Sequence, residues 1–106
     1  MITIEDFCES YYLELGLLTY GELSDEDVLN AFKDILTWKK KGIFISEYTP
    51  NNKYTITEYW LYLSLLDRCI EYGTSPRGAW LTRFGEDVLK LLNNSFKEIL
   101  AYINKD

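Results

Sequence analysis

Three hydroxyl residues, Thr3, Ser24 and Thr82, each stand immediately before a stretch whose apolar residues recur at helical spacing. A Ser or Thr in that place accepts a hydrogen bond from the free backbone N–H groups of a helix's first turn, so each marks a helix start. After Thr3, the residues Ile4, Phe7, Cys8, Tyr11 and Leu15 fall on one face, with Glu5 and Asp6 at the positive end of the helix dipole. Gly16 stands near the end of that helix, and residues 17–23 read as a short apolar connection containing Gly21. After Ser24, Val28, Leu29, Phe32, Ile35 and Leu36 form the stripe, and Lys39-Lys40-Lys41-Gly42 closes it with cations at the negative end and a glycine to stop. Trp38 lies at the edge of that stripe, where partial exposure is expected. After Thr82, the phase of Val88, Leu92, Phe96, Ile99 and Ile103 holds across Asn93-Asn94-Ser95 and predicts one long last helix.

The middle of the chain reads differently. Ile43 to Tyr48 and Lys53 to Thr57 alternate in strand fashion around Thr49-Pro50-Asn51-Asn52, which predicts a hairpin. Glu58 to Tyr72 reads as a helix with Tyr59, Trp60, Leu63, Leu66 and Ile70 on one face. Leu61, Tyr62 and Leu65 are apolar as well, and a helix apolar nearly all round is largely buried. Its last turn, Cys69 to Gly73, could equally begin a strand. Ser75-Pro76-Arg77-Gly78 is a turn, and Ala79-Trp80-Leu81 is a short strand running into the Thr82 cap. Tyr54 to Tyr59 echoes Ala79 to Phe84, each an apolar strand, a threonine cap (Thr57 and Thr82) and a helix. The expected fold is α+β, mainly α, with about four helices and one or two short β-hairpins in a single domain over residues 1–106.

Composition narrows the function classes. With 106 residues, 47% of them hydrophobic and 16% aromatic, the chain has enough apolar surface to fold without staples. Met1-Ile2-Thr3-Ile4-Glu5-Asp6 has neither a basic nor an apolar leader region, and no apolar run nears the ~20 residues that span a bilayer. A cytoplasmic protein is expected, with Cys8 and Cys69 as buried free thiols. There is no histidine, which removes the commonest general base and the usual transition-metal ligand. Asp25 to Asn30 lacks the spacing of a calcium loop, and Gly73 to Gly78 lacks the Lys-Ser/Thr that completes a phosphate loop. Neither an enzyme nor a cofactor- or metal-binding protein is expected.

Residues 59–92 resemble the wing region of winged helix-turn-helix domains. The resemblance rests on Leu65-Leu66-Asp67-Arg68-Cys69-Ile70-Glu71-Tyr72 as helix end and first wing strand, Gly73 to Gly78 as wing tip, and Trp80-Leu81-Thr82-Arg83-Phe84-Gly85 as return strand and helix cap. It implies a winged-helix-like fold and a DNA-binding regulator, with Arg68, Arg77 and Arg83 as the contacting cations. The residues themselves favour the fold over that function. The helix in the recognition position offers Glu58, Ser64, Asp67 and a single Arg68, and a chain of net charge −6 repels phosphate.

That charge is concentrated. The first 34 residues hold nine acids and one base, Lys33, a net of −8, and the rest of the chain is net +2. Asp25, Glu26 and Asp27 stabilise a helix start, as do Glu5 and Asp6, each by roughly 0.3–1 kcal/mol. Glu9, Glu14, Glu22 and Asp34 have no such reason. Surface helices ordinarily pair Glu with Lys one turn away, yet Glu5 and Glu9 repel each other and no base precedes Lys33. Glu5, Glu9, Tyr12, Glu14, Tyr20 and Glu22 are therefore the candidate partner-binding residues, suited to a basic protein. In general character the chain is similar to small acidic bacterial immunity proteins and antitoxins. That similarity implies a toxin domain of the nuclease class as partner, with neither nucleic acid nor membrane bound. The C-terminal helix offers a route to a homodimer.

Overall fold

Residues 2–19, 24–71 and 79–104 are described by the computed structural model, with 12–19 described by backbone alone. Helix α1 spans Ile4–Thr19 and α2 spans Asp25–Lys40. A 3-10 turn at Pro50–Asn52 leads to α3, Ile56–Leu65, and a second such turn, Asp67–Cys69, leads to β1, Ile70–Glu71. β2 is Trp80–Leu81, α4 is Arg83–Asn94 and α5 is Phe96–Ile103. The fold is mainly helical, with one antiparallel pair of short strands in which Ile70 faces Leu81 and Glu71 faces Trp80.

The three capping hydroxyls act as the sequence requires. Asp6 N donates to Thr3 Oγ1 at 3.0 Å, Asp27 N to Ser24 Oγ at 3.1 Å, and Gly85 N to Thr82 Oγ1 at 3.0 Å. α2 is the central element and packs against α3, α4, α5 and β2. Its stripe is wholly buried, and Trp38, expected at the rim, is buried too. A chain of rings threads the core from α1 across α2 to α3: Phe7, Tyr11, Phe32, Tyr62, Tyr54 and Trp38, with successive centroids 5.0 to 6.2 Å apart. Gly42, at φ 72°, ends α2 with the backbone that only glycine adopts cheaply, and Ile43 N returns to Trp38 O at 3.0 Å.

Four expectations are corrected. No hairpin forms over residues 43–57. Thr49 Oγ1 donates to Tyr54 O at 2.7 Å and accepts from Tyr54 N at 2.9 Å, so a side chain closes the loop where a strand ladder was expected. Asn51 and Asn52 take up left-handed backbone inside it. α3 begins two residues before Glu58, because Thr55 and Glu58 form a reciprocal capping box at 3.0 and 2.9 Å. It ends at Leu65, and the chain passes through the 3-10 turn into β1, the strand alternative for that stretch. α1 continues through Gly16 to Thr19, since one glycine costs a helix only about 1 kcal/mol. The last helix breaks at Ser95 (φ −132°, ψ 29°), where Asn93-Asn94-Ser95 favour non-helical backbone. The break turns α5 back to cover a flank of α1. The proposed wing tip, Gly73 to Gly78, lies outside the described residues.

Candidate docking face

Successive residues of α1 point about 100° apart, and this sorts its side chains. Phe7, Cys8 and Tyr11 enter the core and Ile4 packs on its edge. Glu5, Asp6, Glu9 and Ser10 are exposed and adjacent on the outer side. Glu5 and Glu9 stand one turn apart and, among the described residues, neither has an ion-pair partner. α5 brings Tyr102 beside them, 41% exposed. Partial desolvation lifts the Tyr102 phenol above its ordinary pKa, and the neighbouring Glu5, Cys8 and Glu9 add to the rise. Tyr12 and Glu14 lie in α1 with undescribed side chains, and Tyr20 and Glu22 lie outside the described residues.

The other acids have structural partners. Asp6 caps α1 with Thr3, whose N–H it accepts at 3.4 Å. Asp25, Glu26 and Asp27 occupy the first turn of α2. Asp34, expected to be without a structural reason, has one. Its Oδ2 lies 2.7 Å from Lys53 Nζ and accepts from Tyr54 Oη at 2.7 Å. Burial, that hydrogen bond and the carboxylate charge hold the Tyr54 phenol well above its ordinary range.

Of the candidate DNA-contacting cations, Arg68 and Arg83 are described, and neither lies in α3. Arg68 belongs to the 3-10 turn, its guanidinium 4.6 Å from the centroid of the Phe84 ring. Arg83 is exposed at the first position of α4, and Arg77 is outside the described residues. The outward positions of α3 are Thr57, Leu61 and Ser64, which carry no cation.

Three features escape the sequence reading. Tyr102 is one. Phe44 and Tyr48 are a second, 64% and 72% exposed on the loop held by buried Ile45 and Thr49. Their signal is apolar alternation that finds no partner strand. Lys39 is the third: one of the three lysines at the end of α2 is buried, its Nζ 5.3 Å from the centroid of the Tyr59 ring. Burial lowers its pKa to about 8.

Cys8 and Cys69 are free and buried. Tyr11 Oη lies 3.3 Å from Cys69 Sγ, and burial pushes the Cys69 thiol up to about 11, which disfavours the reactive thiolate. Among the described residues no group of three side chains could hold a metal ion, and no helix is long and apolar enough to cross a membrane. No family model, curated protein or solved structure matches the chain.

Proposed function

We propose that this chain is a small acidic, non-enzymatic binding protein that docks on a basic partner through the outer side of α1, most concretely an immunity protein or antitoxin that neutralises a nuclease-type toxin. One observation carries the reading. Glu5 and Glu9 are exposed and mutually repulsive, without a cation among the described residues, beside a half-exposed tyrosine. A fold that spends about 0.2–0.5 kcal/mol to keep like charges one turn apart has a use for them outside itself. Carboxylates so placed mimic the phosphates that a nuclease groove attracts, and Tyr102 adds an amphipathic anchor of the kind enriched at binding hot spots. Tyr12, Glu14, Tyr20 and Glu22 belong to the same reading as further candidate contacts.

The test is co-purification with the product of the adjacent gene, followed by a toxin activity assay. Stoichiometric complex formation and inhibition, both lost in Glu5→Lys/Glu9→Lys, are the expected outcome. Inhibition that survives the double reversal removes this face from the mechanism.

One observation favours a second reading. The β1–β2 pair between α3 and α4 has the order of elements expected of a winged-helix regulator. A salt-dependent gel shift on the chain's own promoter, abolished by Arg68→Ala or Arg83→Ala, would put that reading first.

A further inference from the structure

The acids of α1 have a counterpart in the same chain. Residues 39–53 hold four lysines against a single acid, Glu47, and so supply the positive excess of the chain beyond residue 34. Lys39 is buried and Lys53 is tied to Asp34. That leaves Lys40 and Lys41, exposed at the end of α2 and, among the described residues, without an ion-pair partner. Gly42 turns the backbone there, and Phe44 and Tyr48 follow, the two most exposed large hydrophobic side chains among the described residues. They stand on a fixed base. Ile45 and Thr49 are buried, and Thr49 Oγ1 holds the backbone of Tyr54 through two hydrogen bonds. A loop so anchored displays its rings with little ordering left to lose on contact.

We infer that this lysine–aromatic loop docks on the outer side of α1 of a second copy of the chain. Charge names the occupant. Lys40 and Lys41 are neighbouring cations, and Glu5 and Glu9 are anions one turn apart, all four exposed and without an ion-pair partner among the described residues. Glu47, exposed in the same loop, leaves it net positive. Phe44 and Tyr48 put apolar surface beside the lysines, and half-exposed Tyr102 puts it beside the glutamates. Aromatic side chains carry much of the energy of such contacts, and the charges fix their register. Two free lysines neutralise too few phosphates to hold a nucleic acid, whereas they match the glutamate pair in number. Both surfaces are exposed, so neither covers the other within one chain, and the contact is one between copies. A loop meeting a different surface makes a heterologous contact, which runs on from copy to copy unless it closes into a ring. Since it occupies the acidic side of α1, a basic partner bound there would displace it. That consequence rests on the docking function proposed above, whereas the contact itself does not.

The experiment is sedimentation equilibrium on the chain alone, at about 0.15 M salt and up to about 1 mM protein. The mass of the unaltered chain should rise with concentration. Glu5→Lys/Glu9→Lys and Lys40→Glu/Lys41→Glu should each be monomeric by itself, since each puts like charges on both surfaces. Mixed, the two should associate again, because the intact loop of the first meets the intact acidic side of the second. Phe44→Ser/Tyr48→Ser, at two exposed positions, should weaken self-association at least about tenfold with unchanged thermal stability. An unaltered chain that is monomeric throughout overturns the inference. So does association that survives either charge reversal, or a mixture of the two that stays monomeric. Should a reversal unfold the chain, Lys40→Gln/Lys41→Gln removes the charge without creating repulsion, and unchanged association in that variant is equally fatal. If the basic partner binds while self-association is absent, the loop contact alone falls. If self-association holds and no partner binds, the docking function alone falls.

Discussion

Asp34 and the pair Glu5 and Glu9 come from the same acid-rich third of the chain, yet the fold treats them differently. Asp34 sits on α2 where the loop after it returns. It takes an ion pair from Lys53 and a hydrogen bond from Tyr54, both at 2.7 Å. Tyr54 then stacks edge-on against Trp38 and Tyr62, so the carboxylate helps lock the loop onto the core. Glu5 and Glu9 face outward beside Tyr102, and among the described residues neither has an ion-pair partner. A carboxylate is a structural tie in one region and a solvent-facing charge in the other. Excess charge in a sequence points to a partner only after the acids with internal ties have been subtracted.

The sharpest way to break the tied region is at its tightest seam. A Cβ on Gly85 would stand 2.1 Å from Cys69 O, so α4 would have to leave the 3-10 turn whose carbonyls accept from Thr82. Gly85→Ala should cost about 3 kcal/mol or more by chemical denaturation. Gly42→Ala, strained only by its positive φ, should cost about 1 kcal/mol.

Lys39→Met should remove a pH dependence of stability that burial of the ammonium creates, as urea denaturation across pH would show. The folded pKa of about 8 lies below the ordinary 10.5. Below pH 8 both folded and unfolded chains hold the proton, and the buried charge is penalised in full. Between about 8 and 10.5 the folded chain has released its proton, unfolding takes one up, and stability rises with pH. The stability of Lys39→Met relative to the parent should therefore fall across that interval. Taking the difference between the two proteins cancels the thiols and phenols that titrate nearby. Asp34→Asn comes next in size. It leaves Lys53 without its ion pair and weakens the Tyr54 bond, for a loss of about 1–2 kcal/mol with binding of the proposed partner unchanged.

Local rules were legible in the sequence, and contacts across the fold were not. Thr3, Ser24 and Thr82 announce helices because capping involves only the next three residues. Thr55-Ile56-Thr57-Glu58 carries the same kind of signal, but strand-like alternation through Thr57 masks it. The break at Ser95 hides because the apolar phase runs on across it, although Asn93-Asn94-Ser95 has the low helix propensity that permits it. The outward placement of Glu5 and Glu9 followed from periodicity alone. That Tyr102 stands beside them depends on how α5 turns back over α1, and that Asp34 meets Lys53 depends on a loop closed by Thr49. Neither leaves a local pattern.

The smallest stability change is the most discriminating. Glu9→Lys removes a repulsion and creates an opposite-charge pair with Glu5, which stands N-terminal to it at the favourable i, i+4 spacing. The expected gain is a few tenths of a kcal/mol, diminished by salt. The same substitution should weaken binding of the proposed basic partner by tenfold or more, chiefly through a slower and less salt-sensitive association rate. Asp34→Asn and Glu9→Lys thus move stability and binding in opposite patterns, one losing stability alone and the other losing binding alone. If Glu9→Lys costs more than about 1 kcal/mol, Glu9 has an internal tie like that of Asp34 and is not a free charge. If both variants bind alike, the acids of α1 serve solubility and the docking surface lies elsewhere.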